Sequence, residues 1–172
     1  MSNQSGKVSL ITGASSGIGK AAAIQLAGLG ANVVMACRSM ERGSRALDEV
    51  RSASSNPNVS LMQLDLSFQD SIRKFTGEFK KSHQRLDVLI HNAANFDLSM
   101  KKTVLTADGI ETIFATNHVG PVLLTHLLMD LLKSSAPSRI LTVASKGLTM
   151  HTFLDIEFDN LNGECKFSPE HA

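Results

Sequence analysis

Short apolar runs alternate with amphipathic stretches along the whole chain, and this alternation predicts a parallel sheet covered by helices. Five runs have the length of buried strands. They lie at residues 8–12, 32–36, 59–65, 86–91 and 140–144. Right-handed crossovers between them predict a doubly wound α/β sheet with the strand order 3-2-1-4-5. A ligand crevice is then expected at the carboxyl ends of strands 1 and 4.

Helices are predicted between these strands. The first follows a glycine-rich turn, and the second begins after Ser39, a good N-cap residue. The third begins at Ser67, because Ser67 and Asp70 have capping-box spacing. The fourth is long, from about 106 to 133, and leucines at helical spacing give it an apolar face. The length of 172 residues predicts one domain, and we expect 146–172 to form an irregular tail.

The composition is that of an ordinary globular protein, with 42% hydrophobic residues, 19% charged residues and a net charge of +1. No block of Lys and Arg suggests a nucleic acid or an anionic membrane as a partner. No apolar run is long enough to span a bilayer and the start of the chain is polar, so we expect no transmembrane segment and a cytoplasmic location. Cys37, Cys165 and the six histidines show no metal-ligand spacing. We therefore expect free thiols and no metal site.

A glycine-rich turn joins the first predicted strand to the first helix. Gly13 lets the strand reverse, Gly17 leaves no side chain between the backbone and a ligand, and Gly19 lets the helix pack closely on the sheet. Free N–H groups at the helix start then face an anion, for which we expect a dinucleotide pyrophosphate, as in Rossmann-type folds. The alternative is a tight turn with no ligand. The predicted cofactor residues of this turn are Gly13, Ser15, Ser16, Gly17, Ile18 and Gly19.

The second predicted strand is followed by Arg38 and Ser39. In a dinucleotide-binding fold, the residue at about this distance from the glycine turn is an acid for a free 2′-hydroxyl and an arginine for a 2′-phosphate. Arg38 offers a planar fork of donors, and no acid stands at the strand end. We therefore predict NADP(H) rather than NAD(H), with Arg38 and Ser39 among its ligands. The alternative is a solvent-facing arginine, although a cation gains nothing from the dipole at a helix start.

Further candidate residues follow the third and fourth predicted strands. Asp65 and Leu66 close the third, where the Asp65 carboxylate could accept from the adenine amine or cap the following turn. The sequence does not decide between the two. Asn92 follows the fourth strand and can brace the turns beneath a cofactor, while Ala93 and Ala94 allow close backbone approach. The alternative is a small-residue turn with no ligand.

Together these motifs resemble the short-chain dehydrogenase/reductase superfamily over essentially the whole chain. The matching segments are 12–19, 65–66, 92–94, Asn117 and 142–145. Three others, 36–38, 108–111 and 114–120, are similar to its retinol dehydrogenase-like and WW-domain oxidoreductase-like branch. The resemblance implies NADP(H)-dependent hydride transfer between nicotinamide and an apolar carbonyl or alcohol, such as a retinoid, a steroid or another lipid-like small molecule. His91 departs from the pattern, since the family usually has an asparagine there, and we expect the position to tolerate it.

The resemblance also implies that Asn117 and Ser145 belong to a catalytic tetrad of Asn, Ser, Tyr and Lys. Pro121 has no N–H to donate to the Asn117 carbonyl, so we expect a kink in the long helix and a relay water at that carbonyl. The alternative is a kinked helix in which neighbours satisfy Asn117. Ser145 ends the fifth predicted strand, where it would hydrogen-bond the substrate carbonyl. Lys146 beside it would point to the opposite face, which disfavours a Ser/Lys nucleophile.

The family pattern also requires a Tyr-x-x-x-Lys motif, and this sequence contains no tyrosine. We therefore expect the C-terminal part of the fold to be missing, strand five to be an exposed edge, and turnover by the chain as given to be negligible. Two hypotheses follow. The chain is either the amino-terminal part of an oxidoreductase, whose full-length form could be a homo-oligomer, or a catalytically dead short form that binds nucleotides or other proteins. A triphosphate-binding protein is disfavoured, because no Gly-Lys-Ser/Thr loop is present.

Overall fold

The computed structural model describes residues 3–97, 99–145 and 158–164. Within these ranges the strands are β1 (Val8–Thr12), β2 (Asn32–Cys37), β3 (Val59–Gln63), β4 (Val88–His91) and β5 (Arg139–Thr142). All are parallel, in the order β3-β2-β1-β4-β5. The predicted fold class and strand order are confirmed. Two strand ends are corrected, because β3 and β5 each stop two residues before the predicted positions.

The described helices lie between the strands, as the sequence pattern predicts. They are α1 (Gly17–Gly28), α2 (Met40–Ser54), α3 (Gln69–Ser82), α4 (Thr112–Phe114) and α5 (Gly120–Ser134). A π-helical turn, Ala115–Val119, joins α4 to α5, and a short 3-10 turn lies at Phe158–Asn160.

The predicted long helix begins six residues later than expected. Residues 104–112 form a loop in which Leu105 pairs with Glu111 and the Thr106 N–H donates to the Ile110 carbonyl at 2.8 Å. Gly109 turns this loop with a φ of +74°. The helix then begins after Glu111, whose buried carboxylate accepts from the Phe114 N–H at 2.7 Å and so caps it.

The start of α3 also differs from the prediction. Ser67 does not form a capping box, because its hydroxyl donates to Asp65 Oδ1 at 2.6 Å, and the helix begins two residues later at Gln69. The Gln69 N–H donates instead to Asp108 Oδ2 at 2.9 Å, from the loop before α4. The cap predicted for α2 is confirmed, since Ser39 Oγ accepts from the Arg42 N–H at 3.3 Å.

Two apolar layers cover the faces of the sheet. Leu10 on β1 lies in the layer that packs under α3 and α5, and Ile11, the next residue, lies in the layer under α1 and α2. Both side chains are fully buried. Because of this alternation, apolar core covers both faces of β1. The loops that could form a ligand site therefore lie at the carboxyl ends of the central strands.

The tail predicted for 146–172 lies partly outside the described residues, as do Lys146 and Cys165. Its described part, 158–164, contacts the loop before α4: Thr103 Oγ1 donates to the Gly163 carbonyl at 2.8 Å, and the Glu111 N–H donates to Asn162 Oδ1 at 3.2 Å. Across the described ranges, no helix is both long and apolar enough to cross a membrane. The same ranges hold no cluster of three His, Cys, Asp or Glu side chains able to bind a metal.

Candidate cofactor and active site

The turn after β1 has the shape that its glycines predict. Gly13 and Gly17 have φ values of +67° and +53°, in the left-handed region that favours glycine. A methyl group on Gly13 would lie 2.8 Å from Ala93 Cα, and one on Gly19 would lie 2.6 Å from the Gly13 carbonyl oxygen. A methyl group on Gly17 would meet nothing within 4 Å. The turn therefore packs tightly against its neighbours at Gly13 and Gly19, and it has open space beside it at Gly17.

Helix α1 begins at this opening. Ser16 occupies the N-cap position, but its side chain makes no capping hydrogen bond, and the first turn carries no acidic residue. Ser16 and Gly17 are exposed, and the Ile18 side chain is 68% exposed. The N–H groups of a first helical turn have no partner inside the helix, so those of α1 are oriented to bind an anion.

Asn92 braces the glycine turn, as the sequence predicts. Its Nδ2 group donates to the Thr12 carbonyl at 3.0 Å and to the Gly13 carbonyl at 3.2 Å. In the other direction, the Thr12 hydroxyl accepts from the N–H groups of Asn92 and Ala93 at 3.0 and 3.1 Å. Thr12 was not among the predicted site residues, although its position directly before Gly13 is a signal for this role. Ala94, next along, is exposed.

Arg38 and Ser39 lie at the carboxyl end of β2. The Arg38 side chain is exposed and forms no ion pair with any described residue. Ser39 uses its oxygen to cap α2, which leaves its hydroxyl proton able to donate to a ligand. The binding of NADP(H) by Arg38 and Ser39 stays a prediction.

Cys37, the last residue of β2, lies beneath the glycine turn and is a free thiol, as predicted. Burial raises its pKa, and hydrogen bonds with Ala14 and Ser15 oppose that rise. Ser15 lies in the turn and is half-buried. The contact ties the end of β2 to the turn after β1.

Asp65 caps the turn that follows β3. Its Oδ1 atom accepts from the Ser67 N–H at 2.9 Å as well as from the Ser67 hydroxyl. The capping alternative is thus observed, while the contact with adenine stays a prediction. Leu66 is buried, and its carbonyl oxygen lies so close to Gly120 that a methyl group there would collide with it. This segment therefore fixes the start of α5 against the end of β3.

Asn117 lies in the π-helical turn, and its side chain holds the loop after β4. Its Oδ1 atom accepts from the Asn95 N–H at 2.7 Å, and its Nδ2 group donates to the Asn95 carbonyl at 2.8 Å. The interruption expected at Pro121 is present as this π-helical turn, in which the Gly120 N–H donates to Ala115, five residues back. Neighbours satisfy the Asn117 amide, and the relay water stays a prediction.

Ser145 lies three residues beyond the end of β5, which corrects its predicted place at the strand end. Pairing between β4 and β5 ends at His91 and Thr142, followed by a hydrogen bond from the Val143 N–H to the His91 carbonyl at 2.8 Å. Ser145 is exposed on the carboxyl side of the sheet, as is Asn117. Its contact with a substrate carbonyl stays a prediction.

His91 fits its unusual position by a hydrogen bond to α5. The ring is buried, and its Nε2 atom lies 2.7 Å from Thr125 Oγ1. Nδ1 has no partner among the described residues. Burial lowers the pKa of the ring, so it is held neutral. The imidazole therefore joins the end of β4 to α5, a contact that sequence reasoning missed because Thr125 is 34 residues away.

A family model described as short chain dehydrogenase matches residues 7–154, which include all five strands and the glycine turn. The chain belongs to the short-chain dehydrogenase family. Retinol dehydrogenases are among the curated relatives that it matches. Human retinol dehydrogenase 14 is 43% identical over 176 residues, covering 95% of this chain and 51% of the relative. Human dehydrogenase/reductase SDR family member 13 is 46% identical over 145 residues, covering 84% and 37%.

Solved structures agree with this family assignment. A metagenomic short-chain oxidoreductase in complex with NADP has a TM-score of 0.73 at 30% identity, covering 84% of this short-chain dehydrogenase chain and 64% of its own. An uncharacterized protein from Mycobacterium paratuberculosis has a TM-score of 0.80 at 31% identity, covering 100% and 57%. The chain thus spans about a third to a half of the length of the two curated relatives.

Proposed function

We propose that this chain forms the NADP(H)-binding part of an oxidoreductase that interconverts an apolar carbonyl and an alcohol, of retinoid, steroid or other lipid-like type. The observation that carries the proposal is the braced glycine turn, closed against Ala93 and open at Gly17, beside the uncapped start of α1. A dinucleotide pyrophosphate fits this concave backbone, because it needs N–H donors and no intervening side chain. NADP in the structure of the metagenomic relative supports the choice of cofactor.

Each group of predicted ligands has a proposed role. The turn residues would bind the pyrophosphate, Arg38 and Ser39 the 2′-phosphate, and Asp65 the adenine amine. Asn92 would act indirectly, because it holds the carbonyl groups of the turn and so keeps their N–H groups oriented outward. When bound, NADP(H) supplies or accepts the hydride.

The residues proposed for the chemistry are Asn117 and Ser145. Ser145 would donate to the substrate carbonyl, and the Asn117 carbonyl would hold a relay water. The Asn117 side chain fixes the loop after β4 and so shapes this side of the crevice. We expect negligible turnover from the 172-residue chain, because none of its residues is a tyrosine that could act as the acid of the family. The cytoplasmic location and homo-oligomerisation of a full-length form also stay predictions.

The decisive test is a titration of the purified chain with NADPH, followed by the emission of the cofactor itself. The protein contains neither tryptophan nor tyrosine, so its own fluorescence interferes little. We expect saturable binding of NADPH, and about tenfold weaker binding in Gly17→Ala, which places a methyl group in the opening at a positive φ. Gly28→Ala is the matched control, since that glycine lies in the same helix with open space around it. A wild-type chain that folds and binds no dinucleotide would refute the proposal.

A second candidate function is an inactive short form that acts as a nucleotide-binding or interaction module. All four residues of β5 are exposed, and this exposure and the lack of tyrosine favour it. The intact mass of the native protein separates the two candidates. A mass near 18.5 kDa supports the short form, and a much larger mass supports the oxidoreductase.

A further inference from the structure

Within the described ranges the sheet has two edges, β3 and β5, and the edge at β3 is partly capped. In a parallel sheet, every second residue of a strand directs its backbone N–H and carbonyl groups at the same neighbour. The Val33 N–H on β2 donates to the Asn58 carbonyl at 2.9 Å, so Val59, the next residue, directs its own groups away from β2. Arg51 donates to the Val59 carbonyl from Nε at 3.0 Å and from Nη2 at 2.7 Å. A charged side chain thus blocks strand pairing at the start of this edge.

The edge at β5 has no such cap among the described residues. The Arg139 and Val143 N–H groups donate at 2.8 Å to the carbonyl groups of Asp87 and of the last residue of β4. By the same alternation, Ile140 and Thr142 direct their N–H and carbonyl groups away from β4. These four groups have no hydrogen-bond partner in the part of the chain that the structure describes. The strand therefore presents two donors and two acceptors at an open edge.

Apolar side chains are exposed on both faces of β5. Ile140, Leu141 and Val143 are 45, 45 and 43% exposed. Ile140 pairs with a β4 residue of the layer under α3 and α5, and Leu141 pairs with one that packs against the layer under α1 and α2. A groove lined by side chains of α1 lies beside Leu141, and one lined by side chains of α5 lies beside Ile140. The edge therefore offers apolar contact area in addition to hydrogen bonds.

We propose that β5 pairs antiparallel with β5 of a second copy of this chain, about a two-fold axis that passes beside Leu141. In this register Ile140 lies opposite Thr142 of the second copy, so the outward groups of both strands exchange four hydrogen bonds. Leu141 lies opposite Leu141 of the second copy as an apolar pair. Arg139 lies opposite Val143 of the second copy, so no like charges meet, and the net charge of +1 adds little repulsion.

A second copy suits this edge better than an unrelated strand, because the pattern of outward groups is self-complementary, as a two-fold contact requires. The Arg51 cap on β3 then disfavours growth into a longer sheet. A stable interface buries at least about 1,000 Å², more than a strand of four residues supplies, so the grooves on both faces have to contribute. We therefore expect a weak dimer, with a dissociation constant of about 50 µM, and a monomer in dilute unfolding experiments.

Sedimentation equilibrium of the purified chain tests the dimer. Between about 5 and 500 µM, the average mass should rise from 18.5 kDa toward twice that value. Thr142→Pro should weaken dimerisation at least about tenfold, because proline removes an outward donor from each strand and no hydrogen bond to β4. Thr142→Val keeps the donor and is the control, so it should dimerise within about twofold of wild type. A dimer that Thr142→Pro leaves unchanged would overturn the proposal.

Cysteine cross-linking tests the register, in a Cys165→Ser background in which Cys37 is buried. Leu141 and its copy would form a pair with Cα atoms about 4.5 Å apart, which a disulfide can bridge. Ile140 is equally exposed, but Ile140 and its copy would be offset by two positions, with Cα atoms more than about 7 Å apart. With oxidised glutathione, Leu141→Cys should therefore form covalent dimers at least about tenfold faster than the matched control Ile140→Cys.

The remaining outcomes decide against the proposal. Equal cross-linking by Leu141→Cys and Ile140→Cys would mean random encounters or a different interface. A chain that stays monomeric at about 500 µM would leave the edge to a strand of another protein. The pairing needs no bound dinucleotide, and the NADPH titration described above is a separate measurement. Failure of the dimer and failure of the proposed function are therefore distinguishable.

Discussion

The sheet has two flanks, β3-β2-β1 and β4-β5, and they differ in how well helices and loops cover them. All five residues of β1 and five of the six in β2 are buried, whereas all four residues of β5 are exposed. The glycine turn, Arg38 and Ser39 lie on the covered flank, and Ser145 lies on the open one. The difference teaches that the proposed cofactor site is built on a complete core, while the chemical side of the crevice rests on an edge that lacks support among the described residues.

The largest expected effect is a loss of stability, and its test compares one leucine from each flank. Leu10→Ala on β1 removes a fully buried side chain and should lower the free energy of unfolding by about 3 kcal/mol. Leu141→Ala on β5, where the side chain is 45% exposed, should cost less than about 1 kcal/mol. Urea unfolding followed by circular dichroism measures both. Equal losses would mean that β5 is covered in solution and would break the comparison.

Sequence periodicity predicted the sheet well, and the physical reason is local. The strand order follows from buried runs and right-handed crossovers, and the turn at Gly13 and Gly17 follows from backbone conformations that few other residues adopt. The helix interruption was also predictable, because Pro121 lacks an N–H whatever surrounds it. Its form as a π-helical turn was not predicted, and Gly120 at the end of this turn lies close to the Leu66 carbonyl, far away in the sequence.

The errors arose where distant residues decide local structure. The start of α3 depends on Asp108, 39 residues away from Gln69, and no pattern near Ser67 reports that contact. Likewise Asn117 holds Asn95 across 22 residues, and His91 bonds to Thr125. Spacing within a motif can identify such side chains as candidates, but their partners follow only from the packing of separate elements.

The second comparison uses two asparagines, each of which braces a loop on one flank. Asn92→Ala removes two hydrogen bonds to the carbonyl groups of the glycine turn and should cost about 2 kcal/mol of stability and weaken NADPH binding. Asn117→Ala removes two hydrogen bonds to the Asn95 backbone, but at an exposed position, so it should cost less than about 1 kcal/mol and leave NADPH affinity unchanged. Thermal unfolding and NADPH titration report on both variants. Equal weakening of NADPH binding by both would show that the two flanks act as one unit.

The smallest expected effect tests the connection between the flanks, which depends on Asp87 at the start of β4. Its buried carboxylate accepts from the Val8 N–H on β1 at 2.8 Å and pairs with Arg85, while its backbone carbonyl accepts from the Arg139 N–H on β5. Burial alone would raise the pKa of this carboxyl, but the bonds from Arg85 and Val8 outweigh burial and lower it.

A lowered pKa in the folded state means that the Asp87 contribution to stability is complete at neutral pH and is lost as the pH falls through the folded pKa. Asp87→Asn should therefore lower the free energy of unfolding by about 1 kcal/mol at pH 7, since Arg85 is half exposed and Asn can still accept from Val8. The gap between wild type and variant should close below about pH 4, near and below the ordinary pKa of aspartate. Urea unfolding across pH 3 to 7 measures it. A gap that stays constant with pH would show that the carboxylate charge does not join β4 to β1.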